Sequence, residues 1–287
     1  MNVRAAVPNS FTIGNLLCGC LGIIACFEGA MLLASVFVVI AGALDFFDGF
    51  AARLLHVSGE LGKQLDSLAD AVTFGVLPGI MLFQWISIGL GDYYTPFFER
   101  PFSNQLLACC GLLVTLFSVL RLAIFNIDTK QTDNFIGVPT PANAFFIASF
   151  PLIMQWQLNV NFYNPVDDLE TLSLIIRMHL LGPYEFWLLT TLWNPVFHIT
   201  VSFISAFLLV APIPLLNFKF KNFNLIQNKE RFGFILMLLL ISIFVFIPYL
   251  PALRQFNFPF LDYSVVPIII LLYILYSFVL FIFKRFK

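Results

Sequence analysis

Four aspartates, Asp45, Asp48, Asp66 and Asp70, fall within 26 residues of a strongly apolar chain. A helix advances about 100° per residue, so Asp45, Asp48, Gly49, Ala52 and Arg53 share an arc of about 140°. On a following helix Asp66 and Asp70 are about 40° apart. If the two helices are antiparallel neighbours joined by a short loop, all four carboxylates meet at one depth. Gly49 and Ala52 leave that face without bulk, so a large ligand can lie between the carboxylates and Arg53. Capping of helix ends accounts for one or two such aspartates, not for four on two faces. Ionisable groups inside a span cost a few kcal/mol and mark function. Clustered hard oxygen ligands suit Mg²⁺ or Mn²⁺ rather than zinc. Two divalent ions held close together would clamp phosphate oxygens.

The elements that must position these groups are membrane helices. Of 287 residues 60% are hydrophobic and only 11% charged, far from the balance of a water-soluble domain. Continuous apolar runs of about 20 residues favour spanning helices over a barrel. The expected fold is all-α and polytopic, with about eight spans near 12–29, 31–54, 64–88, 104–126, 140–160, 186–214, 232–250 and 263–284. The sixth window is too long for one straight span. It divides into a tilted or interfacial piece near 187–194 and a membrane piece after Pro195. Five cysteines without a Cys-x-x-Cys pair read as small apolar helix residues. His56, His179 and His198 have no ligand spacing. A net charge of −1 argues against bulk nucleic-acid binding.

Basic residues cluster on one side if the spans alternate. Arg4, Arg53, Lys63, Lys130, Lys219, Lys221, Lys229, Arg231 and the basic C-terminus share the side of the aspartates. The positive-inside rule then places both termini and the acidic cluster in the cytoplasm. Segment 161–185 faces outward as an insertion, with 169–181 either an amphipathic surface helix or an ordinary loop.

The pattern Asp-x2-Asp-Gly-x2-Ala-Arg-x8-Gly-x3-Asp-x3-Asp runs from Asp45 through Gly62 to Asp70, with every fixed position filled. It resembles the defining motif of the CDP-alcohol phosphotransferase family. Pro8, Asn9, Thr12 and Asn15, with 66–78 (DSLADAVTFGVLP), 121–126 (RLAIFN) and 135–144 (FIGVPTPANA), look like its phosphatidylserine synthase branch. Pro139-Thr140-Pro141 stands where many relatives have Pro-Ser-Pro. The likeness covers residues 8 to about 150.

That resemblance implies a six-helix core over 1–217 and an extension, 218–287, with two further spans. It implies transfer of a phosphatidyl group from CDP-diacylglycerol to L-serine with release of CMP. It places Asp45, Asp48, Asp66 and Asp70 around two divalent ions, with Asp70 also as general base. Gly49, Ala52, Arg53 and Gly62 would contact the CDP moiety. Arg121 and Asn126 are candidates for the acceptor pocket, against a reading of Arg121 as an interfacial snorkel. Asn9, Thr12 and Asn15 either face the nucleotide and metal side or cap the first helix. A homodimer in a bacterial inner membrane is the family expectation. Glycerol 3-phosphate or an inositol phosphate is the alternative acceptor, although a phosphorylated acceptor calls for more cations than Arg121, Lys63 and Lys130. A cation carrier or channel is the remote alternative; it needs ionisable groups at several depths, and spans four to eight supply few.

Overall fold

The computed structural model describes residues 3–57, 59–127, 135–158, 160, 182–216, 229–246 and 262–285. It is helical almost throughout. α1 (Val3–Phe27) and α2 (Met31–Leu54) form an antiparallel hairpin turned at Gly29, whose positive φ of 78° suits a residue without Cβ. α3 (Glu60–Asp70) continues through a π-helical turn, Ala71–Val76, into α4 (Leu77–Gly89). α5 (Phe102–Cys109) and α6 (Leu113–Ile127) return toward the aspartate end. α7 (Thr140–Leu152) extends through a second π-helical turn to Gln157. α8 (Pro183–Trp193) and α9 (Pro195–Val210) meet at a 73° bend. α10 (Lys229–Phe246) and α11 (Val265–Arg285) follow. The only sheet among the described residues pairs β1 (Phe135–Ile136) with β2 (Pro214–Leu215), antiparallel.

Five helical stretches are long and apolar enough to cross a membrane, and six if the α8–α9 pair counts as one broken span. The chain is therefore an integral membrane protein of the all-α class. Each of the eight expected windows contains a helix, but two fall short of that test. The stretch Thr140–Gln157 carries Asn143, Gln155 and Gln157, and much of it is buried. α10 begins with Lys229, Glu230 and Arg231, and its window runs past 246, outside the described residues. The sixth window does divide as its length demands. Asn194 leaves the helix and its side chain accepts the Val196 backbone N–H, capping α9. Of the expected insertion 161–185, only 182–185 are described, so the stretch 169–181 lies outside them. So do Lys130, Lys219 and Lys221.

One expectation is corrected. The first helix starts at Val3 rather than near residue 12, so Asn9, Thr12 and Asn15 lie within it and do not cap it. Pro8 lies inside the helix, so the bond its N–H would make to the carbonyl of Arg4 is missing there.

The core lies where α1, α2, α4, α7 and α9 converge. Trp85 and His198 stack there at 5.1 Å, and His198 also bonds the Leu192 carbonyl. That histidine is a packed core group. All five cysteines are free. Small residues let the helices approach. A Cβ at Gly111 would meet the backbone of Leu82 and Phe83, and one at Gly19 would meet Thr73. With little hydrophobic drive between helices in lipid, such close backbone contact is what holds them. The opposite surfaces are lipid-facing: Phe46, Phe47 and Phe50 of α2 are exposed on the side away from the core.

Candidate active site

The aspartates meet where α1, the end of α2 and the C-terminal half of α3 converge. One carboxylate oxygen each from Asp45, Asp48 and Asp66 lie within 4.8 Å of one another. Asp70 stands outside this tight trio, with its carboxyl group close to that of Asp45. The Asn15 amide donates to Asp70 Oδ1 at 3.4 Å. Helix periodicity in the sequence is thus realised as a cluster, and the cluster divides into three convergent carboxylates and one adjacent.

α1 completes the site. Buried Thr12 donates to Asp48 Oδ2 at 2.7 Å, and buried Asn15 reaches Asp70 as above. Asn9, one turn before Thr12, lines the cleft rather than the carboxylates. Thr73, in the π-helical turn just after Asp70, donates to the Asn15 carbonyl at 3.0 Å and locks α1 against that turn. π-helical turns within α-helices recur at functional sites because they reset the facing of side chains. Here the turn begins one residue after Asp70.

Beside the carboxylates lies a cleft of about 560 Å³, lined by Asn9, Asp48, Gly49, Ala52, Gly62 and Asp66 among others. A Cβ at Gly49 would meet only Arg53 Nη1 at 3.8 Å, and one at Gly62 only Asn9 Oδ1 at 3.5 Å. Both glycines therefore keep open space rather than serve packing. Arg53 is exposed at the cleft's edge, beside Gly49. His56 and Lys63 also line the cleft. His56 has a positive φ of 50° and carries no ligand spacing in the sequence, so only its place in the motif's own loop could have singled it out.

The two acceptor candidates do not share one contact. Arg121 is buried, with 8% of its surface exposed, and donates from Nη1 to Thr140 at 3.2 Å. Its guanidinium lies over the Phe125 ring at 5.9 Å and is close enough to Asp70 to interact electrostatically. It does not snorkel. The Asn126 side-chain amide instead donates to Ser67 at 2.7 Å, and its backbone carbonyl accepts from Lys63 at 3.5 Å. Asn126 thus braces α6 against α3.

The donor set fits a divalent cation. Every convergent ligand is a carboxylate oxygen, the preference of Mg²⁺ and Mn²⁺. Among the described residues no Lys or Arg forms an ion pair with the trio to neutralise it otherwise. The cluster has the composition of a site that binds phosphate through cations, next to a cleft large enough for a nucleotide.

A family model described as CDP-alcohol phosphatidyltransferase matches residues 5–181. The chain is 37% identical over 135 residues to a CDP-diacylglycerol–serine O-phosphatidyltransferase of Bacillus subtilis, covering 47% of this chain and 69% of the relative. It is 32% identical over 142 residues to the protein of that name from Helicobacter pylori (strain J99), covering 49% and 54%. An archaetidylserine synthase of Methanothermobacter thermautotrophicus is 32% identical over 150 residues, covering 51% and 58%. The matched stretch is therefore about half of this chain, and little more than half of the latter two relatives.

Proposed function

The chain belongs to the CDP-alcohol phosphatidyltransferase family, and on that premise we propose that it transfers a phosphatidyl group from CDP-diacylglycerol to L-serine. The products are phosphatidylserine and CMP. The carrying observation is the placement of three convergent carboxylates and Asp70 beside a glycine-lined cleft.

Each residue has a role in this reading. Gly49, Ala52 and Gly62 admit the CDP moiety to the cleft, and Arg53 meets its diphosphate from the edge. Asn9 faces the nucleotide, while Thr12 and Asn15 orient Asp48 and Asp70 from behind. Asp45, Asp48 and Asp66, with Asp70 alongside, hold two divalent ions, Mg²⁺ or Mn²⁺. Such ions, when bound, neutralise the carboxylates and the diphosphate and ease departure of CMP. The serine hydroxyl oxygen attacks the phosphorus that carries diacylglycerol. Its proton passes to Asp70, the P–O bond to CMP breaks, and CMP leaves as the anion. Asp70 suits the proton because it lies outside the tight trio, with the Asn15 amide fixing one of its oxygens. Arg121 takes the serine carboxylate through its forked donors.

The lipid tails remain in the bilayer beside the exposed phenylalanines of α2, while the reacting diphosphate stays at the aspartate end. In this reading that end faces the cytoplasm of a bacterium, across its inner membrane, with both termini on the same side. Residues 1–217 form the catalytic core, 161–185 an outward insertion, and 218–287 an extension with two helices; two copies assemble as a dimer.

A panel of acceptors tests the reading. Purified protein in mixed micelles with CDP-diacylglycerol and Mg²⁺ or Mn²⁺ should release CMP fastest with L-serine. With Arg53 assigned to the diphosphate, Arg121 and Lys63 are the basic residues left near the aspartates for a phosphorylated acceptor. Faster release with glycerol 3-phosphate or an inositol phosphate would reassign the acceptor. No release with any alcohol, joined to cation flux through liposomes, would make the chain a carrier instead.

A further inference from the structure

α11 lies well beyond the family-matched segment, yet it packs on α7 and β2, with Tyr273 near Arg121. Ile270, Tyr273, Ile274 and Ser277 recur at helical spacing on one face of it. Ile270, Leu271 and Ile274 wall a crevice of about 110 Å³ whose other side includes Asn143 of α7. Tyr273 donates to the Leu216 carbonyl at 2.9 Å, and the Leu216 N–H donates to Ser277 at 3.2 Å. α11 therefore grips both backbone groups of one residue.

That residue follows β2, which pairs with β1 in the register Phe135↔Leu215 and Ile136↔Pro214. From β1 the chain passes through Gly137, whose N–H donates to Ile213, into Thr140. Thr140 receives the Arg121 guanidinium. Tyr273 also stands close to Arg121. Two routes thus lead from Tyr273 to Arg121, one across space and one through the strand pair.

The same region holds two buried donors without a hydrogen-bond partner among the described residues, Arg121 Nε and Asn143 Nδ2. Asn143 lies one turn beyond Thr140. Buried donors are nearly always satisfied, so a pair left open marks a place for an acceptor from outside the described residues. A carboxylate offers two oxygens to such donors.

We propose that α11 forms part of the acceptor pocket and that Tyr273 is a positioning residue, holding Arg121 toward the acceptor's carboxylate. This deepens the serine reading and rests on it.

The test is steady-state CMP release by the full chain, varying L-serine and CDP-diacylglycerol separately, for wild type, Tyr273→Phe and Ser277→Ala. Tyr273→Phe should raise the KM for serine about five- to tenfold, the effect of one hydrogen bond near a charged group. Its KM for CDP-diacylglycerol should stay within about twofold. Ser277→Ala loses only the companion grip on Leu216 and should leave both constants within about twofold, which separates positioning from mere anchoring of the helix. An unchanged serine KM in Tyr273→Phe overturns the proposal. So does a parallel rise in both constants in both variants. A wild type that releases CMP without responding to serine contradicts the serine reading itself, an outcome visible before any variant is compared.

Discussion

Asp70→Asn is expected to abolish serine-dependent CMP release, by a factor of at least about 10² and within the range of lost general bases. Asparagine keeps the side-chain volume and can still pair with Asn15, whose amide reaches Asp70 Oδ1 at 3.4 Å. The substitution therefore removes the proton acceptor while sparing the contact that ties α1 to α3. Asp45, Asp48 and Asp66 remain convergent, so the trio should still bind a cation and the cleft the nucleotide. The readout is CMP release beside CDP binding by the same preparation. Binding intact with turnover lost separates Asp70 from the trio. A rate within a few-fold of wild type would take the proton away from Asp70 and leave it only a structural place beside Asp45.

Removal of divalent cations should be as severe. Three carboxylate oxygens within 4.8 Å repel one another, with no Lys or Arg paired to them among the described residues. Chelation with EDTA should reduce CMP release to background, and Mg²⁺ or Mn²⁺ should restore it. A second readout is independent of turnover. A ligand that binds only the folded state raises the unfolding midpoint by mass action. Adding Mg²⁺ to the chelated protein in detergent should therefore raise its midpoint, and Asp66→Asn should cancel that shift. Full activity in EDTA, or a midpoint indifferent to Mg²⁺, would mean that the trio does not hold cations.

What could be read in the sequence, and what could not, follows the range of the forces involved. The aspartates were legible because a 3.6-residue period and a short loop act locally: four carboxylates at that spacing have nowhere else to point. The break in the sixth window was legible for the same reason, since Asn194 and Pro195 end one helix and start another. The contacts of α1 were legible only as one of two readings. Asn9, Thr12 and Asn15 could face the nucleotide and metal side or cap the first helix, and nothing local decides between the two. In the fold they form one face of a helix already under way, and two of them meet aspartates more than 30 residues distant. No composition signal marks the π-helical turn after Asp70, whose Thr73 and Gly75 bond to α1 and α6. His56 was read as scattered, although the loop that carries it closes the cleft. The grip of Tyr273 on Leu216 spans 57 residues and depends wholly on tertiary docking.

The central claim is transfer of a phosphatidyl group to serine. Its most direct measurement is formation of lipid product from isotope-labelled L-serine, with CMP counted in the same reaction. The account predicts label in phosphatidylserine and CMP in equal amounts, both dependent on Mg²⁺ or Mn²⁺. Release of CMP with the label left wholly in free serine would contradict it.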